Sequence, residues 1–184
     1  YRPPRLPNVA TQLLTLSQQP EVEFNAIESL LEQDAILAGE VLATARSAFY
    51  ASTVQVTSLH AALVRLGIGK LRETVFQAAM NLRVFRSAGY RDCMERLRLH
   101  CQATAHLSRM ISTYTRIAGE RAFLCGLLHD VGIAGVLLVL GDTDRGKKLP
   151  DLSVHWPAID AIHAKVGARM VNLWNLPPEI ATAI

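Results

Sequence analysis

From Cys125 to Leu140 the chain is apolar at every position except one adjacent pair, His129 and Asp130. A run of that composition reads as a buried central helix, and an ionisable pair inside it must be hydrogen-bonded, coordinated or neutralised. Adjacent helical residues project about 100° apart, so the dipeptide can offer an imidazole and a carboxylate to two neighbouring ions, or to one ion and its water. The phrase Gly126-Leu127-Leu128-His129-Asp130-Val131-Gly132 therefore reads as built to hold a metal, or as descended from one that did. A plain carboxylate–histidine hydrogen bond closing the core remains the competing reading.

Hydrophobic residues make up 50% of the 184, which is enough to fill one domain of good size or two small subdomains sharing a core, and which argues against disorder. The 19 Lys and Arg are interspersed with 16 Asp and Glu, for a net charge of +3. With no basic stripe, nucleic acid is not an expected partner. Cys93, Cys101 and Cys125 are odd in number and lack CxxC spacing. They fit a reducing cytoplasm better than a disulfide framework and read as small buried hydrophobes. The longest unbroken apolar run, Val131 to Leu140, is well short of the roughly 20 residues that cross a bilayer, and no signal peptide opens the chain. A cytoplasmic, soluble protein without membrane association is expected. Tyr1 in place of Met and an end inside Pro178 to Ile184 suggest a fragment.

Helical periodicity runs through nearly every segment and no strand-length alternation interrupts it, so the fold class is all-α. Expected helices run from Pro7–Asn8 to near Pro20, with Val9, Leu13, Leu14 and Leu16 on the apolar side, and from a capping pair, Asn25 with Glu28, towards Asp34. Others run from Ala35 to about Ser47, from Ser58 to a stop at Gly67, and from Lys70 to Phe85. A long helix then reaches about Ile117, the central one covers about Glu120 to Leu140, another surrounds Ile159 to Trp174, and a last one begins after it. The seam is placed near residue 88, between an N-terminal bundle and a C-terminal bundle that carries the candidate site. The loop Gly141 to Lys148 has neither calcium-loop nor P-loop spacing and reads as a solvated connection. Phe49, Tyr50 and Val54 could form a partner surface or pack the two halves together.

Each of three C-terminal helices contributes to a possible metal site: His100, then His129 with Asp130, then His163. His106, six residues past His100, lies on a nearly opposite face and cannot share it. Asp160 and His163 share a face, and Gly167, four beyond His163, would let a neighbouring helix approach closely. Taken singly, each histidine also reads as a core or half-exposed residue with one good hydrogen bond.

GLLHDVG, Arg98-Leu99-His100, His163-Ala164-Lys165-Val166-Gly167-Ala168 and Trp174-Asn175-Leu176-Pro177 together resemble the HD superfamily of metal-dependent phosphohydrolases. Leu6-Pro7, Ile36-Leu37-Ala38 after Asp34, Ser47-Ala48-Phe49-Tyr50, and Ser58-Leu59 leading to Ala61 through Gly67 narrow the match. They are similar to the HDOD domain, an HD-related output module of bacterial signalling proteins, over almost the whole chain. The resemblance implies a single domain over 1–184, with an N-terminal helical bundle at 1–88 packed on an HD-like bundle at 89–184 that is truncated at its C-terminus. It also implies that His100, His129, Asp130 and His163 occupy metal-binding positions.

Ile133 stands where HD phosphodiesterases usually carry the lysine of HD-x-G-K, and isoleucine cannot neutralise a phosphate. The chain also lacks a clear paired-histidine motif after His163 and a final aspartate. Ala45-Arg46-Ser47 replaces the usual Ala-Asn-Ser. HDOD domains are regarded as scaffolds that have lost catalysis, and this pattern is what such loss would leave. The expected function is thus a signal-transduction module without catalysis and without an obligatory cofactor, docking a signalling protein or a neighbouring domain. The alternative is a metal-dependent phosphohydrolase for nucleotides or cyclic dinucleotides, using Mn, Fe, Mg or Zn to activate water. Oligomeric state is left open.

Overall fold

In a computed structural model of the chain, residues 4, 6–16, 23–50, 55–86, 89–143, 149 and 151–184 are described. They form α1 Asn8–Leu16, α2 Phe24–Leu31, α3 Ala35–Arg46, a 3₁₀ turn Ala48–Tyr50, α4 Leu59–Arg83, α5 Arg91–Ser112, α6 Gly119–Leu128, α7 Val131–Thr143, α8 Leu152–Leu173 and α9 Pro178–Thr182. No strand occurs among the described residues, and the protein is all-α. The chain divides into two compact units, Leu6–Met80 and Asn81–Ile184, the second also taking in Pro4; the division runs through α4. Val54, Ser87 and the stretch 144–148 of the expected loop lie outside the described residues.

In the first unit local chemistry sets the helix ends. The Asp34 carboxylate accepts from the Ile36 and Leu37 N–H groups, both at 3.1 Å, and starts α3. The expected Asn25–Glu28 cap does not form: Asn25 lies inside α2, whose N-cap is Glu23. Glu28 instead receives the His60 ring of α4 at 3.2 Å. At Gly67, φ 69° and ψ 166° take the backbone out of the helical region, so α4 is two helical segments meeting at a kink, and the expected stop at Gly67 is found there. Both expected segments are therefore present within α4. Leu13, Ile27, Leu31, Leu37, Leu63 and Phe76 are fully buried.

In the second unit α5 and α6 form an antiparallel hairpin. A Cβ on Gly126 would lie 2.7 Å from the Thr104 carbonyl oxygen and 2.8 Å from Ala105 Cα, and one on Gly119 would lie 3.5 Å from Ser112 Oγ. Continuing that register three residues past Gly126 brings His129 level with His100. The expected single central helix is two helices, α6 and α7, separated by a turn at His129–Asp130. Counted through this turn, Gly119–Asp142 has the length and apolarity of a membrane span, but its most apolar window is 56% buried inside the protein. That burial marks it as a core element.

Helices α7 and α8 cross at glycines. A methyl group on Gly132 would collide with the His163 carbonyl oxygen and stand 2.7 Å from the Gly167 nitrogen. The close approach expected at Gly167 is thus realised, and it ties His163 to the start of α7. Helix α8 begins earlier than expected because the Asp151 side chain caps it, accepting from Ser153 N–H at 2.9 Å. It ends at Asn175, φ 53°, a left-handed residue that asparagine tolerates. The Trp174 indole N–H donates to the Pro4 carbonyl at 3.0 Å.

Gly132→Ala is expected to lower stability by about 1–3 kcal/mol in urea melts, since backbone must move to admit the methyl. Gly39→Ala, in α3 with nothing within 4 Å of the new Cβ, is expected to raise it by about 0.5–1 kcal/mol through helix propensity alone. A Gly132→Ala protein as stable as the wild type, or stabilised like Gly39→Ala, would refute the crossing.

Candidate metal centre

His100 projects from α5, one residue before the fully buried Cys101. His129 closes α6 and Asp130 follows it in the turn. At the break the Gly126 carbonyl accepts from His129 Nδ1 at 2.8 Å, the same bond that His163 makes to the Asp160 carbonyl inside the unbroken α8. The Ile133 N–H donates to the Asp130 carbonyl at 3.0 Å, and the Asp130 backbone stands close enough to Cys101 to oppose, in small part, the rise of its thiol pKa.

Because a carbonyl can only accept, His129 carries its proton on Nδ1 and presents Nε2 to the site. That Nε2 lies 3.0 Å from His100 Nε2 and 3.2 Å from Asp130 Oδ2, while His100 Nε2 lies 3.5 Å from the same carboxylate oxygen. Three such atoms so close together need a hydrogen or a metal ion between them, and a neutral His100 carrying its hydrogen on Nε2 supplies the former. Consistent with this, the Asp130 hydrogen bond raises the His129 pKa against the opposing effect of burial. The same bond holds the Asp130 carboxyl below its ordinary range, with smaller contributions from His100 and His163.

The donor set fits a metal. Ligands at about 2.0–2.1 Å from one ion stand about 3.0–3.4 Å from one another in octahedral or tetrahedral geometry, close to the three separations found here. Two imidazoles with one carboxylate suit Mn, Fe or Zn better than Mg. A metal would displace the proton shared at His129, so its binding would tighten as pH rises. All three ligand atoms lie within 4.8 Å of one another.

His163 stands outside that cluster, although its charge is felt at Asp130. Its Nδ1–H donates to the Asp160 carbonyl at 2.6 Å, so the Asp160 backbone, not its carboxylate, orients the ring. His106 stacks edge-on against Phe123 at 5.4 Å, away from the cluster as its helical phase requires. Arg98, two residues before His100, is held by Glu95 and Gln102. Cys101 is a participant that the sequence did not single out. Burial and the Asp130 charge push its thiol up to about 12, so it stays protonated and offers no thiolate. Cys93 and Cys125, expected to be buried, are half-buried, and all three cysteines are free.

The chain matches the family described as HDOD domain over residues 4–184. An uncharacterized protein of Treponema pallidum (strain Nichols) is 25% identical over 193 residues, covering 98% of this chain and 36% of that protein. The chain thus spans little more than a third of that relative's length. Among solved structures, a candidate metal-dependent phosphohydrolase from Shewanella amazonensis SB2B has TM-score 0.74 at 17% identity, over 98% of this chain and 67% of its own. An HDOD domain protein with unknown function from Geobacter sulfurreducens has TM-score 0.74 at 22% identity, over 99% and 63%. At these identities the likeness is one of fold.

Removing the Asp130 carboxylate leaves two imidazoles facing each other with no anion to balance a shared proton. Asp130→Ala is expected to cost about 1–3 kcal/mol in chelator-containing buffer, read as a lower midpoint in denaturant. An unchanged midpoint would show that the carboxylate is held for metal alone.

Proposed function

This chain belongs to the HDOD domain family, and from that premise we propose that it is a bacterial signal-transduction module. In this reading it acts by binding a signalling protein, a neighbouring domain or a ligand, and its His–Asp site has no catalytic role. The observation that carries the proposal is Ile133, which is 8% exposed in the first turn of α7, three residues beyond Asp130. Phosphoryl transfer develops charge on equatorial oxygens, and a cation beside the metal must meet it. An isoleucine packed into the core meets none of it.

The cluster's own residues suit a structural and regulatory role. His129 and Asp130 join the end of α6 to the start of α7, and His100 joins them to α5. A bound divalent ion would supply Lewis acidity there, and His100, His129 and Asp130 would hold it. The protein's contribution without it is to keep a proton between the two rings and the carboxylate, which fastens three helices at one point. One observation favours the phosphohydrolase alternative, namely that the three donor atoms already stand at ligand spacing.

Purified protein is expected to show no turnover of cyclic dinucleotides or nucleoside phosphates in manganese or magnesium, followed by phosphate release and chromatography. Metal-dependent hydrolysis that disappears in Asp130→Asn would overturn the regulatory reading.

A further inference from the structure

Helices α7 and α8 carry, beyond their crossing at Gly132, an open cleft of about 320 Å³. One wall is Val136, Val139 and Leu140 of α7, and the other is Ile162 and Val166 of α8. These side chains are only half-buried, and Ile162 is 44% exposed, so two neighbouring helices leave facing apolar surfaces partly wet. The floor is tight: a Cβ on Gly135 would come within 2.7 Å of Met170 Sδ and 3.0 Å of Val166 Cγ1. Among the described residues a single charged group lines the cleft, the exposed Arg169. No ion pair or hydrogen bond joins its guanidinium to any described residue.

We infer that this cleft binds a linear alkyl monocarboxylate, with Arg169 holding the head group and the two helices enclosing the chain. Shape and charge each narrow the ligand. Arg169 and Ile162 lie at opposite ends of the α8 wall, seven residues apart, which at about 1.5 Å per residue separates head from tail by about 10 Å. An elongated apolar body with one polar terminus fits that layout, as ligand clefts are usually apolar with a few polar groups fixing orientation. One guanidinium fork matches one carboxylate in bidentate geometry. A phosphate head group, at roughly −1.5 to −2, would leave charge unbalanced against an apolar wall. The inference goes beyond the proposed function and does not pass through His129 or Asp130, so either can fail without the other.

Decanoate, used below its micellar concentration with the full chain, is the probe, and calorimetry or ligand-observed NMR reads its binding. Saturable one-to-one binding is expected, with Arg169→Gln weakening it about tenfold, as losing a charge-assisted hydrogen bond does. Decan-1-ol should bind the wild type about as weakly as decanoate binds that variant. Val136→Trp, which fills the cleft from a half-exposed position, should abolish binding of both while thermal melts confirm that each variant folds. Absence of saturable decanoate binding overturns the inference, and so does equal affinity for decanoate and decyltrimethylammonium. Self-association through this face, abolished by Val139→Glu and unaffected by decanoate, would assign the cleft to a second copy and overturn it too.

Discussion

His129 donates its Nδ1 proton to the Gly126 carbonyl at 2.8 Å, at the point where α6 gives way to α7. That bond sets the imidazole tautomer and leaves Nε2 to face the site. Asp130 follows in the turn, with its carboxylate 3.2 Å from His129 Nε2 and 3.5 Å from His100 Nε2. One hydrogen bond thus fixes which nitrogen the cluster receives. Gly126 can supply it only because the residue has no side chain where α5 presses against it.

The same economy of side chains positions everything around the cluster. Gly126 brings α6 onto α5, and Gly132 with Gly167 brings α7 onto α8, so backbone meets backbone at two places on either side of the His–Asp turn. Contacts of this kind have little slack, since a packed interior shifts between discrete arrangements rather than stretching. A ligand or partner that spreads α7 from α8 would therefore move His163 relative to Asp130 as a unit. The apolar cleft begins one turn beyond Gly132, on the same two helices.

Electrostatics also explains how the cluster holds together. Held by His129, the Asp130 carboxylate is satisfied without a metal, and the imidazolium it favours is satisfied in return. A buried carboxylate whose one partner was an absent ion would have been removed or neutralised at a cost the fold could not easily carry. Here, with the His100 side chain 57% exposed to solvent, the site can persist as a proton-bridged clasp. Ile133, three residues beyond the carboxylate, adds core packing.

Much of this protein was legible in the order of its residues. The gathering of His100, His129 and Asp130 was implied by the family resemblance and not by spacing, whereas the all-α class, a helix beginning at Ala35, the stop at Gly67 and the close approach at Gly167 follow from period and residue size. These are local properties, or properties of one helix face, and local rules reach them. The turn at His129–Asp130 was not legible, because the apolar run around it keeps helical period with no proline to break it. Nor was the role of Cys101, which needs α5 to lie against that turn. The distance of His163 from the cluster was equally hidden, since helical phase gives a residue's face but not the height at which two helices cross. Glu28 shows the same limit in the first unit, where His60, 32 residues away, takes the carboxylate that a local cap would have used. Competition between a near partner and a distant one is resolved by which the folded chain brings closer, and only the tertiary structure holds that information.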